Sequence, residues 1–206
     1  MQFGDERLDL KGNRVAVARI VSRLTAAPLF NLYVALIIAA ASPIGLGPSM
    51  TPVTVILVCI VLMVVLPIMP IVLQASRGVV DLDVSSREMR TRFFAFALVC
   101  YVVAYLVYWA GQCDVMRVLA AAYFFVTSGV TIATLKWKVS VHAAGVAGPS
   151  TAMMYMYGFL ASPVVAVWLA VIWARTALKQ HTLPQGVAGV LLGVLITAAV
   201  YLVMYP

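Results

Sequence analysis

Beyond about residue 25 the chain is a succession of long stretches almost free of charge, broken by short polar segments. That pattern leaves few folds open. A helix needs ~20 mostly apolar residues to cross a bilayer, and hydrocarbon admits a backbone only when its N–H and C=O groups are bonded internally, as they are in a helix. Composition agrees: 64% of residues are hydrophobic and 10% charged, with mean hydropathy +1.05, whereas soluble domains are roughly 25% charged. The expected fold class is all-α, a polytopic membrane bundle of about seven transmembrane helices near 26–42, 52–73, 93–109, 118–134, 141–159, 162–178 and 185–205. Pro67 and Pro70 predict a kink in the second, because each removes a backbone donor.

Seven crossings put all but one of the 14 Lys and Arg residues on the N-terminal side, Arg117 being the exception. Basic loops mark the cytoplasmic face, so the expectation is a multi-pass protein of the cell membrane with its polar segments inside the cell. The net charge of +7 follows from this asymmetry, and no nucleic-acid partner is called for. The chain divides into an N-terminal segment, 1–25, and a membrane domain, 26–206. In the first, Val15, Val17, Ile20, Val21 and Leu24 alternate with Arg14, Arg19 and Arg23, the pattern of an amphipathic helix on an anionic membrane surface. Ala39-Ala40-Ala41-Ser42 has the look of a signal-peptide cleavage site, but the basic region before it is long for that role and further spans follow. Cys59, Cys100 and Cys113 have no Cys or His at metal spacing, which points to packing rather than a disulfide or a metal.

Three polar segments on the basic side carry more function than anchoring requires: 81–92, 136–142 and 175–185. The fifth helix leaves this face at His142 and the sixth returns to it at Arg175, so the topology predicts one basic pocket at the interface. Arg grips phosphate through a planar fork of donors, and Lys acts as a mobile charge. Helix starts near Ser140 and Thr182 add unpaired amides, which also favour an anion. A histidine attacks phosphorus when its protonated nitrogen is held by an acceptor, and a second can protonate the leaving oxygen. His181 and Gln185, four apart, share a helix face, so the Gln carbonyl can orient the imidazole. Gln185 equally fits a capping box with Thr182, and Ser140 a helix cap. Gly145, Gly148 and Gly158 read as helix-packing positions.

These segments resemble the motifs of the type 2 phosphatidic acid phosphatase superfamily, whose members dephosphorylate membrane lipids through a phosphohistidine. The family's third motif, Ser-Arg, five residues, His, three residues, Asp, is similar to Ala174-Arg175, five residues, His181, three residues, Gln185. Its second, Pro-Ser-Gly-His, resembles Val139-Ser140-Val141-His142. The first, Lys, six residues, Arg-Pro, is matched only by Arg92-Phe93, with Arg87 as a displaced cation. The resemblance implies His181 as nucleophile, His142 as general acid, Gln185 in the place of the orienting Asp, and Arg175, Ser140, Lys138, Arg92 and Arg87 as phosphate ligands. It implies a lipid phosphate substrate and neither cofactor nor metal. Two alternatives stand beside it: a catalytically silent relative that binds or moves lipid phosphates, given the neutral Gln185, and a magnesium-dependent prenyl or alcohol-phosphate transferase, given Asp81, Asp83 and Glu88 on one loop. A channel or transporter is disfavoured, because no ionisable group lies deep in an expected span.

Overall fold

The computed structural model describes residues 1–84 and 86–206, and at Arg87 and Glu88 the backbone alone. It is 78% helical, with no strand among the described residues. A 3₁₀ turn, Gly4–Leu8, precedes α1, Asn13–Leu24, and α2, Ala27–Ala41. Next come α3, Pro52–Ser76, α4, Arg87–Ala110, α5, Asp114–Lys136, α6, Val141–Tyr157, α7, Val164–Ala177, and α8, Leu183–Met204.

Every stretch expected to cross the bilayer is therefore helical, but they are not equal in length. Four have the length and apolarity of a span: α3, the Met89–Ala110 part of α4, α5 and α8; α1 and α2, joined at a bend of 53°, qualify together as a fifth. Alone, α2 has 15 residues, α6 has 17 and α7 has 14, or roughly 21–26 Å of helix against a hydrocarbon core of ~30 Å. The chain is a helical, multi-pass membrane protein with four to five candidate spans. Its N-terminal helix does more than lie on a surface. Ala18 of α1 is buried against Ala174 and Leu178 of the α7 end, with Val15 and Val21 beside them, while Val17, Ile20 and Leu24 face outward.

Local chemistry explains the elements. Thr51 accepts from the Thr54 N–H, Thr54 Oγ1 accepts from the Thr51 N–H, and Pro52 takes the first helical position, so α3 starts on a capping box with proline where its missing donor costs nothing. Further on, Pro67 has no N–H for the carbonyl of Met63, four residues back. Asn31 Nδ2 supplies that donor at 3.1 Å from α2, and a π-helical stretch, Cys59–Val65, absorbs the change of pitch. The helix runs on through both prolines. Within the helices, Ser128, Thr131 and Thr151 return their hydroxyls to carbonyls four residues earlier, which satisfies them away from water.

The backbones of α6 and α8 come close together. A Cβ added to Gly189 would stand 2.5 Å from the Ser140 carbonyl oxygen, and one on Gly193 would stand 2.8 Å from that of Ala144. These two glycines let the backbones touch. Gly145 and Gly148 likewise face α2 and α8. Gly158 does not: it has φ 59° at the end of α6 with open space around it, so it serves the turn rather than helix packing. This seam fixes the starts of α6 and α8 side by side, and the Ser140 N–H donates to the Gln185 carbonyl at 3.2 Å.

Candidate functional site

The site begins with how α7 ends. Lys179 adopts φ 53°, its N–H bonds the Thr176 carbonyl at 3.0 Å, and the Gln180 N–H bonds the Arg175 carbonyl at 3.1 Å. This is a Schellman termination, which reverses the chain over the last turn. It returns the His181 N–H to the Arg175 carbonyl at 3.3 Å. The five-residue spacing between Arg175 and His181 is thus the spacing of a helix stop that folds one residue back onto the other.

His181 is buried. Its Nδ1 lies 3.3 Å from Gln185 Oε1, which also accepts the Thr182 N–H at 3.1 Å. Gln185 therefore does both things read from its position: it closes the capping box of α8 and faces the imidazole. Burial pushes the His181 pKa down to about 3, the charges of Arg175, Arg90 and Lys138 push the same way, and the Gln185 hydrogen bond opposes them. The imidazole is neutral at pH 7. A neutral ring beside an amide oxygen carries its proton on Nδ1, which leaves the Nε2 lone pair free.

Arg175 lies alongside, 3% exposed, paired with Asp83, whose side chain is 2% exposed. Arg175 Nη1 donates to Asp83 Oδ1 at 2.9 Å and to Ser22 Oγ at 3.0 Å, and Asp83 Oδ2 accepts the Gly4 N–H at 3.0 Å. Burial raises the Asp83 pKa, but the charges of Arg175 and His142 and the hydrogen bonds from Gly4 and Arg175 outweigh it, and the carboxyl sits below its ordinary range. A second buried arginine, Arg90, is close enough to depress His181 electrostatically. Arg90 Nε donates to the Val84 carbonyl at 2.6 Å. Val84 has φ 48°, a costly conformation for a β-branched residue, and the Val84 N–H bond to Asp81 O and the Arg90 bond hold it there. Among the described residues, Arg175 Nε and Arg90 Nη1 are buried with no hydrogen-bond partner. Unpaired guanidinium donors out of reach of water are costly, and these two stand beside the same imidazole. Lys138, half-buried nearby, has its pKa lowered by burial and by the charges of Arg90 and Arg175.

The three polar segments thus converge. Arg175, His181, Gln185 and Lys138 meet as the spacing anticipates, whereas Ser140, fully buried, caps α6 by accepting the Ala143 N–H at 3.3 Å. Arg92 is exposed, and the arginine of α4 that enters the cluster is Arg90. Arg87 was also expected to contact phosphate, and its side chain lies outside the described residues. A sequence signal for Arg90 existed: Phe93, Ala97, Cys100, Tyr101, Ala104 and Tyr108 are the buried face of α4, and Arg90 continues that row while Arg92 is two residues out of phase. Asp83 and Ser22 had no local signal, standing 92 and 153 residues from Arg175.

The two histidines line different spaces. His181 borders a shallow polar cleft with Lys138, Lys179, Gln180 and Gln185. His142 borders an internal cavity of about 310 Å³, within which Asp83 and Arg90 are also found and whose other walls are chiefly apolar, with Ile68, Ile71, Phe94, Ala97, Leu119 and Val126 among them. The cavity follows α4 from Arg90 to Tyr101, ~16 Å by helical rise. Phe3 lies at its polar end. Arg23 stacks over the Phe3 ring at 4.8 Å, and Arg19–Asp5 and Arg23–Glu6 pairs of 2.6 and 2.7 Å tie the N-terminal turn to α1. Asp81 pairs with Arg7 at 3.7 Å, so Asp81 and Asp83 both face arginines; Glu88 falls in α4, and its side chain lies outside the described residues. Among the described residues no group of three or more His, Cys, Asp or Glu side chains is arranged to hold a metal.

No protein-family model, curated protein or solved structure matches this chain at a significant level.

Proposed function

We propose that this protein is a metal-independent lipid phosphatase, which grips a phosphorylated headgroup between Arg175, Arg90 and Lys138 and cleaves it with His181. Supporting this reading above all is the pair of buried arginines, Arg175 and Arg90, each with an N–H that has no partner among the described residues, beside a neutral imidazole whose Nδ1 faces an acceptor. A polar cluster at the end of an apolar cavity suits an amphiphile, and 310 Å³ is within the ~300–1,000 Å³ of ordinary ligand pockets. The substrate is an isoprenoid phosphate or diphosphate, or a phosphatidate-like lipid, with its tail in the cavity.

His181 Nε2 attacks phosphorus, the bond from phosphorus to the lipid oxygen breaks, and a phosphohistidine forms that water then hydrolyses. In-line displacement places nucleophile and leaving group on opposite sides of phosphorus. His181 on the cleft side and His142 on the cavity side suit that order, and His142, once protonated, gives its proton to the departing lipid oxygen. The seven helical stretches are seven crossings in this proposal, the short ones tilted little or packed under thinned bilayer, and the basic face with the site is cytoplasmic by its Lys and Arg excess.

Phosphate release from prenyl and glyceryl lipid phosphates in detergent, with His181→Ala as control, tests the activity. No release from any of them, or release undiminished in the variant, defeats it. A second reading, a lipid-phosphate binder without turnover, is favoured by one observation: Gln185 Oε1 already accepts the Thr182 N–H, and a neutral amide stabilises an imidazolium less than a carboxylate does. Acid-labile phosphate trapped on His181 rules that reading out.

A further inference from the structure

Arg175, the buried arginine behind His181, already holds an anion that belongs to the chain. Asp83 reaches it from 92 residues away, with Oδ1 2.9 Å from Nη1. The carboxylate is fixed independently of that contact. Its other oxygen accepts the Gly4 N–H at 3.0 Å, the Leu82 N–H bonds the Gln2 carbonyl at 3.1 Å and the Val84 N–H bonds the Asp81 carbonyl at 2.9 Å. Asp83 is a tethered competitor for any ligand of Arg175, and a tethered group acts at an effective concentration of ~1 mM or more.

Consider what can displace it. A phosphodiester carries one negative charge and two unesterified oxygens, so exchanging it for the carboxylate gains no charge on the arginines and must still overcome the tether. A phosphomonoester carries close to two charges and three oxygens. It keeps an extra charge on Arg175 and Arg90 after the exchange, and its third oxygen can meet a donor among the unpaired Arg175 Nε and Arg90 Nη1. The distinction matters at this position in the fold, because the cluster lies at helix ends, where matrix phospholipids present phosphodiester headgroups in great excess. Two buried arginines without a counter-ion would fill with them.

Resting on the phosphate-binding reading above, we propose that Asp83 is the specificity-determining residue of this site: its tethered carboxylate excludes the phosphodiester monoanions of bulk membrane lipids and gives way to phosphomonoester dianions. The full chain in detergent at pH 8 is titrated calorimetrically with dioctanoyl phosphatidate and dioctanoyl phosphatidylglycerol, whose tails are the same. The wild type binds phosphatidate at least tenfold more tightly. Asp83→Asn brings the two within about threefold, mainly by tightening phosphatidylglycerol, and Asp83→Glu restores discrimination. Gly4→Pro removes the N–H behind Asp83 at the first position of its turn, where proline is tolerated; it alters no charge and narrows the ratio, so the proposal stands or falls even where Asp83→Asn does not fold. Equal affinities in the wild type, or a ratio unmoved in folded Asp83→Asn or Gly4→Pro, overturn the role of Asp83 alone. If neither lipid binds the wild type, the phosphate-binding reading falls and this one with it.

Discussion

The cleft at His181 and the cavity at His142 both lie near the same two arginines, and they differ in almost every other respect. The cleft is polar and open, with lysines, glutamines and a helix start around it. The cavity is chiefly apolar and lined mostly by helices, with its charged residues at one end. A reaction at the join would draw on each differently, with bond-making chemistry and water from the cleft side and recognition of the lipid body from the cavity side. Substitutions on the two sides should therefore separate kcat from KM.

The largest expected effect lies on the cleft side. His181→Ala lowers phosphate release on the order of 10³-fold or more while leaving the melting temperature in detergent nearly unchanged. Loss of folding in place of loss of turnover would show that the imidazole is only a packing group. Arg175→Ala joins the two regions and should damage both activity and stability. It leaves Asp83 as a buried charge without its partner, which costs about 3–5 kcal/mol, read as a lowered denaturation midpoint together with lost phosphate binding. On the cavity side, His142→Ala should cost on the order of 10²-fold for an alkyl leaving group and little for an aryl phosphate, whose oxygen departs without a proton. Equal losses for both would remove His142 from the proton transfer. Ile68→Trp fills part of the cavity wall, so KM rises about tenfold for a long-chain substrate and stays level for a dioctanoyl one.

How far the sequence foretold this arrangement depends on the range of the interaction. Helix positions were legible because apolar stretches and caps are local: Thr51-Pro52 and Thr182 mark starts that the fold uses. The relation of His181 to Gln185 was legible as an i, i+4 pair, and that of Arg175 to His181 as a motif spacing whose cause is the turn at Lys179. For the number of crossings only the four to five long apolar helices are plain, because α2, α6 and α7 are shorter and apolarity alone does not set where a helix stops. Nor was the partnership of Arg175 with Asp83 and Ser22 legible, because it is made by tertiary docking of the N-terminal turn and α1 onto α7. Arg92 drew attention through its Phe93 neighbour, whereas the periodicity of α4 places Arg90 inside.

The smallest effect is also the sharpest test of how the cleft differs from an ordinary surface. A solvated histidine titrates near pH 6.5, and an enzyme using one as nucleophile loses rate below that value. His181 is held at about 3 by burial and by Arg175, Arg90 and Lys138, so its lone pair stays available through mildly acidic conditions. Between pH 5 and 8 the rate constant for phosphohistidine formation should show no limb from His181, measured in single turnovers. The same shift has a cost in stability with a defined sign. From about pH 6.5 down to about 3 the unfolded chain binds a proton at this position that the folded one refuses, so this residue makes the protein progressively less stable as pH falls through that window. His181→Gln keeps a polar ring-sized group without a titrating proton and should flatten that part of the stability profile. A kinetic limb near 6.5 in the wild type would instead mean that the imidazole is solvated when substrate binds, and the contrast between cleft and cavity would then be one of shape alone.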